Sequence, residues 1–455
     1  MKDSDQKDNY WLISGTLSIL QNFSGVLFGF ASFFILVRSV SKSDFGSWVL
    51  FMSTIMIMES IRTGLIQTAL IRYLAANEPD KHPPIITASA ILSGIVTVLC
   101  VVLNVLFSGY LAALWDSPQL VDLFLVYNIG FILSGFLNLF NYIEQAYLSF
   151  KGIFLTNLVR QALFFLFVAV AFFVDYPIQL IELVWVQVFS LLAAAILAYF
   201  FVKDKLRFSL ADSRAWTSKL FGYGKYAFGT LISSMLSGTL DQMMLGAMLS
   251  PASSGAYNIA VRIANLTDIP TNAMAVVVFP QSAKRMAEEG KSAIKYLYER
   301  SVGITLAILL PMILFLYFFA DWTINMIAGE RFDDSIPLLK ITLLYSLLVP
   351  FGRQFGNILD SIGKTKITFL VVLLNTVINL GLNFLLIKKI GIMGAAYATL
   401  TSNFIGFIIA QIILKKEASV NVLNTFIYMF RFYPEFFTQY VRPIMLKTWA
   451  KFHSN

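Results

Sequence analysis

The sequence is poor in cysteine, histidine and charge, and each shortage excludes a class of protein. Its single cysteine, Cys100, lies in an apolar run, so neither an intramolecular disulfide nor a multi-cysteine metal site can form. His82 and His453 fall in polar segments, which excludes a histidine-based zinc site or proton relay inside the apolar ones. Charged residues make up 13% of the chain, about half the share in a soluble domain, and hydrophobic residues make up 58%. So much apolar surface needs lipid as its solvent, and the sequence therefore predicts a membrane protein.

The apolar residues fall into runs of about 20, the length at which an α-helix crosses a bilayer. We predict an all-α polytopic membrane protein with about 12 transmembrane helices. The first run is too long for a cleavable signal peptide and is expected to be retained. The predicted spans are 10–37, 46–71, 85–107, 120–148, 153–174, 178–202, 227–249, 256–281, 302–320, 337–360, 367–387 and 392–414.

A basic island at 203–225, with six lysines and arginines against two aspartates, divides the apolar sequence into halves of nearly equal length. Short loops rich in lysine and arginine lie on the cytoplasmic side of a membrane. Of the 34 lysines and arginines, 24 fall on the same side of the membrane as the island, six on the opposite side and four inside spans. Both termini are therefore expected in the cytoplasm. The predicted domains are an N-lobe at 1–202, a basic cytoplasmic linker at 203–226, a C-lobe at 227–414 and a cytoplasmic interfacial amphipathic tail at 415–455.

The two halves show signs of an internal repeat, which is common in transporters. The first span of each half has a polar residue at every fourth position. Six spans per half preserve orientation, so we predict two six-helix lobes related by pseudo-two-fold symmetry about an axis normal to the membrane. The repeated positions are Ser14, Ser18 and Asn22 in the first half and Ser233, Ser237 and Asp241 in the second.

Several loop motifs resemble those of the polysaccharide exporters, the Wzx-type lipid-linked oligosaccharide flippases of the multidrug/oligosaccharidyl-lipid/polysaccharide (MOP) superfamily. The motifs are RSVSKSDFG at 38–46, GLIQTALIRY at 64–73, GERFDDS at 329–335 and GIMGAAYAT at 391–399. The chain departs from the family at 39–40, where Ser-Val replaces a Leu-Gly-like pair. The resemblance covers nearly all of 10–414 and implies a MATE-like fold, with two lobes around a cavity that opens to alternate sides. It also implies a bacterial inner-membrane location.

Four arginines and four acids lie well inside the predicted spans, with Glu182 nearer the end of one, and each such charge costs at least ~2.5–3.5 kcal/mol and needs a partner or a purpose. Matching depths in the membrane suggest three ion pairs, which either fix helix packing or line a substrate cavity. Both interpretations stay open. The expected pairs are Glu59 with Arg62, Glu144 with Arg160, and Asp241 with Arg262, while Asp268 and Arg353 are left without an obvious partner.

The prolines well inside spans all lie in the second half, at Pro270, Pro311 and Pro350, and they predict hinges because proline kinks a helix. Asp268 and Arg353 each lie close to one of these prolines. Arg353 is expected to contact a substrate phosphate; the other interpretation is that its side chain reaches the inner-leaflet phosphates.

Polar side chains form two stripes at helical spacing: Asn375, Asn379 and Asn383 in the eleventh span, and Ser134, Asn138, Asn141 and Gln145 in the fourth. Such amides either join helices by hydrogen bonds in lipid or line a cavity suited to sugar hydroxyls. Both interpretations stay open.

The sequence is consistent with two functions. The first is a flippase for an anionic, pyrophosphate-type lipid-linked oligosaccharide, used for lipopolysaccharide, O-antigen or another cell-surface polysaccharide. The alternative is a cation-coupled multidrug (MATE-type) exporter. A membrane enzyme is set aside, since the longest outer segment, 320–337, is too short for a catalytic domain, and no P-loop is present. We expect a monomer that needs no cofactor or metal and binds no nucleic acid, with glycan polymerase machinery as a partner.

Overall fold

The computed structural model describes residue 20, residues 24–361 and 364–438, and residue 442. Every regular element in these residues is a helix, and the chain divides into two compact units. We call Met1–Gly255 the N-unit and Ala256–Asn455 the C-unit.

The N-unit contains eight α-helices and the start of a ninth. A π-helical turn, Thr63–Gln67, joins α2 to α3 without a loop. The helices are α1 Ser24–Ser39, α2 Lys42–Arg62, α3 Thr68–Ala76, α4 His82–Leu114, α5 Leu120–Ala146, α6 Phe150–Phe173, α7 Leu180–Val202, α8 Ser213–Met248 and α9 Pro251–Ala264.

The C-unit contains the rest of α9 and eight further helices. A 3₁₀ turn, Asn265–Thr267, interrupts the chain between α9 and α10. The helices are α10 Asp268–Glu289, α11 Lys291–Phe318, α12 Ala320–Ala328, α13 Ser335–Ser346, α14 Val349–Ser361, α15 Thr365–Ile390, α16 Ile392–Ala418 and α17 Val422–Phe436.

Nine helical segments among the described residues are long and apolar enough to cross a membrane. They coincide with predicted spans 2 to 6 and 9 to 12, so these predictions are confirmed. Predicted span 7 lies within α8 and span 8 within α9 and α10. Of span 1, the structure describes the apolar helix α1 and residue 20. Ser14, Ser18 and Asn22 of the predicted repeat lie outside the described residues, as do the side chains of Ser233 and Ser237.

Close approach of backbones sets the path of α8 through the N-unit. A Cβ atom at Gly224 would clash with the carbonyl of Leu65, and one at Gly64 would lie 2.7 Å from the Cα of Phe228. Small residues allow membrane helices to pack at this distance. As a result, α8 runs along α2, the π-helical turn and α4.

The C-terminal helix α17 packs along α11 within the C-unit. The carboxylate of Glu299, 2% exposed, accepts hydrogen bonds from the backbone N–H of Asn421 (2.7 Å) and from Asn424 Nδ2 (2.9 Å). Farther along, a Cβ at Gly303 would meet the Thr425 carbonyl at 2.6 Å. The predicted tail is therefore helical over α17 and held by a buried acid, while its place at the membrane interface stays a prediction.

Candidate functional site

A buried ion pair lies near the middle of the N-unit, where α2 meets α4 and α5. Arg62 Nη1 lies 2.7 Å from Glu59 Oε2, which confirms the predicted pairing of these two residues. The same nitrogen donates to Ser134 Oγ at 2.9 Å, while Nη2 donates to Thr97 Oγ1 at 3.0 Å and to the Phe131 carbonyl at 3.1 Å. The guanidinium is fully buried, and both of its Nη atoms have acceptors while the buried Nε has none. It therefore neutralises Glu59 and joins three helices, and its contact with a substrate stays a prediction.

Glu59 is the accessible member of this network, with 20% of its side chain exposed. Asn138 Nδ2 lies 3.4 Å from Glu59 Oε2, so the amide predicted on α5 belongs to the same cluster. The π-helical turn begins directly after Arg62, and such turns are frequent at functional sites. Thr63 Oγ1 within it contacts Tyr142 Oη on α5 at 3.2 Å.

The predicted pair of Glu144 and Arg160 is wrong. Glu144 is 1% exposed, accepts a hydrogen bond from Ser149 Oγ (3.2 Å) and packs against Gly152. Arg160 is exposed and makes no ion pair within the described part of the chain. The sequence placed the end of the fourth span too late: α5 ends at Ala146, two residues after Glu144. Arg160 lies eight residues beyond Gly152, about 12 Å farther along α6.

The predicted pair of Asp241 and Arg262 joins residues of different units. Asp241 is 5% exposed within the N-unit, and Arg262 is an exposed residue of the C-unit. Their pairing stays a prediction.

Asp268 and Arg353 are the residues for which the sequence offered no partner, and the structure pairs them with each other. Arg353 Nη2 lies 4.0 Å from Asp268 Oδ2, and the two side chains are 43% and 29% exposed. The expectation that both lack a partner is therefore wrong. Because the two residues are 85 positions apart, the sequence alone could not show that α10 and α14 are neighbours.

This pair belongs to a larger polar surface, of which the sequence analysis named Arg262 and missed Asn265 and Asn272. Arg262 on α9, Asn265 in the 3₁₀ turn and Asn272 on α10 are exposed. Together with Asp268 they are spaced three or four residues apart. With Arg353 we call these residues the C-unit polar face. The regular spacing of polar residues in the eighth span was the signal that could have revealed it. Because such groups avoid hydrocarbon, an exposed polar face at span depth is expected to border water.

Two of the three predicted hinge prolines lie at breaks in the helices. Pro270 follows the 3₁₀ turn Asn265–Thr267, and Pro350 follows the interruption between α13 and α14. Pro311 instead lies inside the continuous helix α11. Backbone breaks therefore flank the Asp268–Arg353 pair on both helices, and hinge motion there stays a prediction.

The asparagine stripe on α15 faces α16. Asn379 Nδ2 donates to Thr399 Oγ1 and Ser402 Oγ, both at 3.2 Å, and its own Oδ1 accepts from Asn383 Nδ2 at 3.0 Å. Asn375 lies beside Gly406 of α16. These amides join two helices, and contact of Asn375 or Asn379 with a sugar stays a prediction.

The described residues hold no group of three or more histidine, cysteine or acidic side chains placed to bind a metal ion. The chemistry that the two polar clusters offer is charge and hydrogen bonding to a ligand.

The comparisons with known proteins agree with this architecture. The family model for polysaccharide biosynthesis proteins matches residues 35–337. The lipopolysaccharide biosynthesis protein WzxC of Escherichia coli K12 is 23% identical over 392 residues, which cover 85% of this chain and 75% of that protein.

Two solved structures share the fold. An inward-facing MATE family transporter of the MOP superfamily has a TM-score of 0.74 at 16% identity and covers 86% of this chain and 94% of its own. The lipid II flippase MurJ in an inward closed conformation has a TM-score of 0.74 at 14% identity, covering 94% and 92%. The predicted fold class, an all-α polytopic membrane protein of the MOP type, is thereby confirmed. With two thirds of its length matched by the family model, this chain belongs to the polysaccharide biosynthesis protein family.

Proposed function

We propose that this protein moves a pyrophosphate-type lipid-linked oligosaccharide from the cytoplasmic to the outer leaflet for assembly of a cell-surface polysaccharide such as O-antigen. The observation that carries the proposal is the C-unit polar face, which combines cations and amides at span depth. WzxC is named for lipopolysaccharide biosynthesis and MurJ for flipping lipid II, and a substrate with lipid, phosphate and sugar parts suits the same face.

The face has the charge that such a substrate needs. Arg353 supplies the positive charge, and its separation of 4.0 Å from Asp268 is the outer limit of an ion pair. Both side chains are accessible, so a phosphate can replace the carboxylate as the partner of Arg353. Arginine suits this role because it stays charged and can donate bidentate hydrogen bonds to a phosphate.

The amides supply the second part of the recognition. Asn265 and Asn272 are exposed on either side of Asp268, and each carries both a donor and an acceptor. Sugar hydroxyls also donate and accept, so these two side chains fit a glycan. Asn379, which already bonds to α16, is a weaker choice.

The alternative function is a cation-coupled multidrug exporter. A cavity for cationic drugs favours acidic and aromatic side chains, and its arginines would repel the cargo. The accessible guanidinium of Arg353 on the C-unit polar face therefore favours an anionic substrate.

We further propose that the protein lies in the cytoplasmic membrane with both termini in the cytoplasm and acts as a monomer beside glycan polymerase machinery. It performs no catalysis itself. Transport then draws on an ion gradient or on consumption of the flipped substrate.

Glycan export in a strain lacking the native protein tests the role of Arg353. Arg353→Ala should lower export at least about tenfold, since a hydrogen bond to a charged group is worth about 1.5–3 kcal/mol. Arg353→Lys should keep part of the activity as a point charge. The matched control is Arg431→Ala, an exposed arginine on α17, which should export normally. Normal export by Arg353→Ala at a normal membrane level would contradict the proposal.

A further inference from the structure

A groove on the N-unit lies between the first half of α4 and the beginning of α8. Its volume is about 560 Å³, within the range of small-molecule sites. Its walls are largely apolar, with arginine and hydroxyl groups only on the α8 side. Six of the lining residues are Ile91, Leu92 and Ile95 of α4 and Arg214, Thr217 and Phe221 of α8.

The position of the groove along α4 matches the depth of one leaflet. The backbone N–H of Ser209 donates to Thr87 Oγ1 at 2.9 Å, which fixes the chain before α8 against the first turns of α4. From Thr87 to Ile95 the helix rises about 12 Å, close to half of a 30 Å hydrocarbon core. Ile95 and Phe221 are 57% and 49% exposed, so the apolar wall opens toward lipid.

The charges around the groove are not equivalent. Neighbouring cations lie over aromatic rings: Arg72 is 4.7 Å from the ring centre of Tyr223, and Lys219 is 4.4 Å from that of Trp216. Arg214 is exposed and has no ion-pair partner or aromatic ring in the described part of the chain. Its charge is therefore available at the polar end of the apolar groove.

We infer that this groove binds an anionic phospholipid of the cytoplasmic leaflet. An acyl chain lies against Ile91, Ile95 and Phe221, and the phosphate lies at Arg214. The leaflet follows from the excess of lysine and arginine in this part of the chain. Basic residues near that leaflet attract anionic lipids. The site is separate from the C-unit polar face and does not depend on the identity of the transported substrate.

Native mass spectrometry of the purified full chain, titrated with phosphatidylglycerol or phosphatidylethanolamine, tests the inference. Arg214→Gln should weaken phosphatidylglycerol binding about fivefold, the effect of one basic residue near a membrane surface. Arg207→Gln, an exposed arginine of the same basic stretch that does not line the groove, is the control for net charge. Ile95→Trp fills the apolar end and should remove the tightest-bound phosphatidylglycerol. Because Ile95 is exposed, this change should leave the folded core intact.

Three results would overturn the inference: equal losses in the Arg207 and Arg214 variants, equal affinity for the two phospholipids, or unchanged binding in Ile95→Trp. Displacement of phosphatidylglycerol by a lower concentration of a polyprenyl phosphate would also overturn it and assign the groove to the carrier lipid. Lipid binding is measured on purified protein, so its failure is distinguishable from a failure of glycan export.

Discussion

Replacing Glu59 by glutamine should destabilise the N-unit because it leaves a buried guanidinium without a countercharge. In the structure Arg62 is fully buried and has three other acceptors, on Ser134, Thr97 and Phe131. All three are neutral. Glutamine keeps the size of the side chain, so the loss measures charge rather than packing.

The magnitude follows from the burial of the two partners. Removing one member of a buried ion pair costs about 3–5 kcal/mol, much of it from the charge left behind. Because the Glu59 side chain is 20% exposed, we expect the lower end of this range. For a unit of this size, about 3 kcal/mol corresponds to a fall of roughly 6–12 °C in the apparent Tm.

The assay is thermal unfolding in detergent of four proteins: the native chain, Glu59→Gln, Arg62→Gln and the double variant. The double variant should unfold above Glu59→Gln, since it removes both charges. Asp80→Asn, a change at an exposed residue of the 3₁₀ turn Pro79–Lys81 in the same unit, should stay within about 0.5 kcal/mol of the native chain. A loss of stability in the double variant equal to the sum of the two single losses would refute the coupling.

Two further predictions concern topology and helix packing. Cysteines placed at the exposed positions Asp175 and Asp333 in a Cys100→Ser background should react with a membrane-impermeant reagent from outside, and one at Asp212 should not; external labelling at Asp212 would reverse the orientation. Asn379→Leu should cost about 0.6–1.7 kcal/mol of stability by removing its bonds to α16, while glycan export per folded protein stays normal. A selective loss of export at full stability would show instead that Asn379 contacts the substrate.

Some features of the site could be predicted because they depend on neighbours along one helix. Glu59 and Arg62 are three residues apart on α2, so a single helical turn brings their charges together. The breaks near Pro270 and Pro350 follow in the same way from the missing N–H of proline. No knowledge of the packing of other helices was needed for either.

Contacts between helices were beyond the reach of the sequence. Matching depths suggested Arg160 as the partner of Glu144. This was wrong because the end of α5 was misplaced by two residues and the sequence does not fix the rotation of α6 about its axis. Asp268 and Arg353 meet because α10 packs against α14, and only the structure shows that Asn265 and Asn272 are exposed on either side of Asp268.

By itself, the sequence determined the membrane class, the family resemblance and the approximate positions of nine spans, because the length of an apolar run is a local property of the chain. The tertiary structure decided which face of each helix is buried and which charges meet. Those outcomes depend on helix rotation and register, which are set by the packing of side chains distant in sequence.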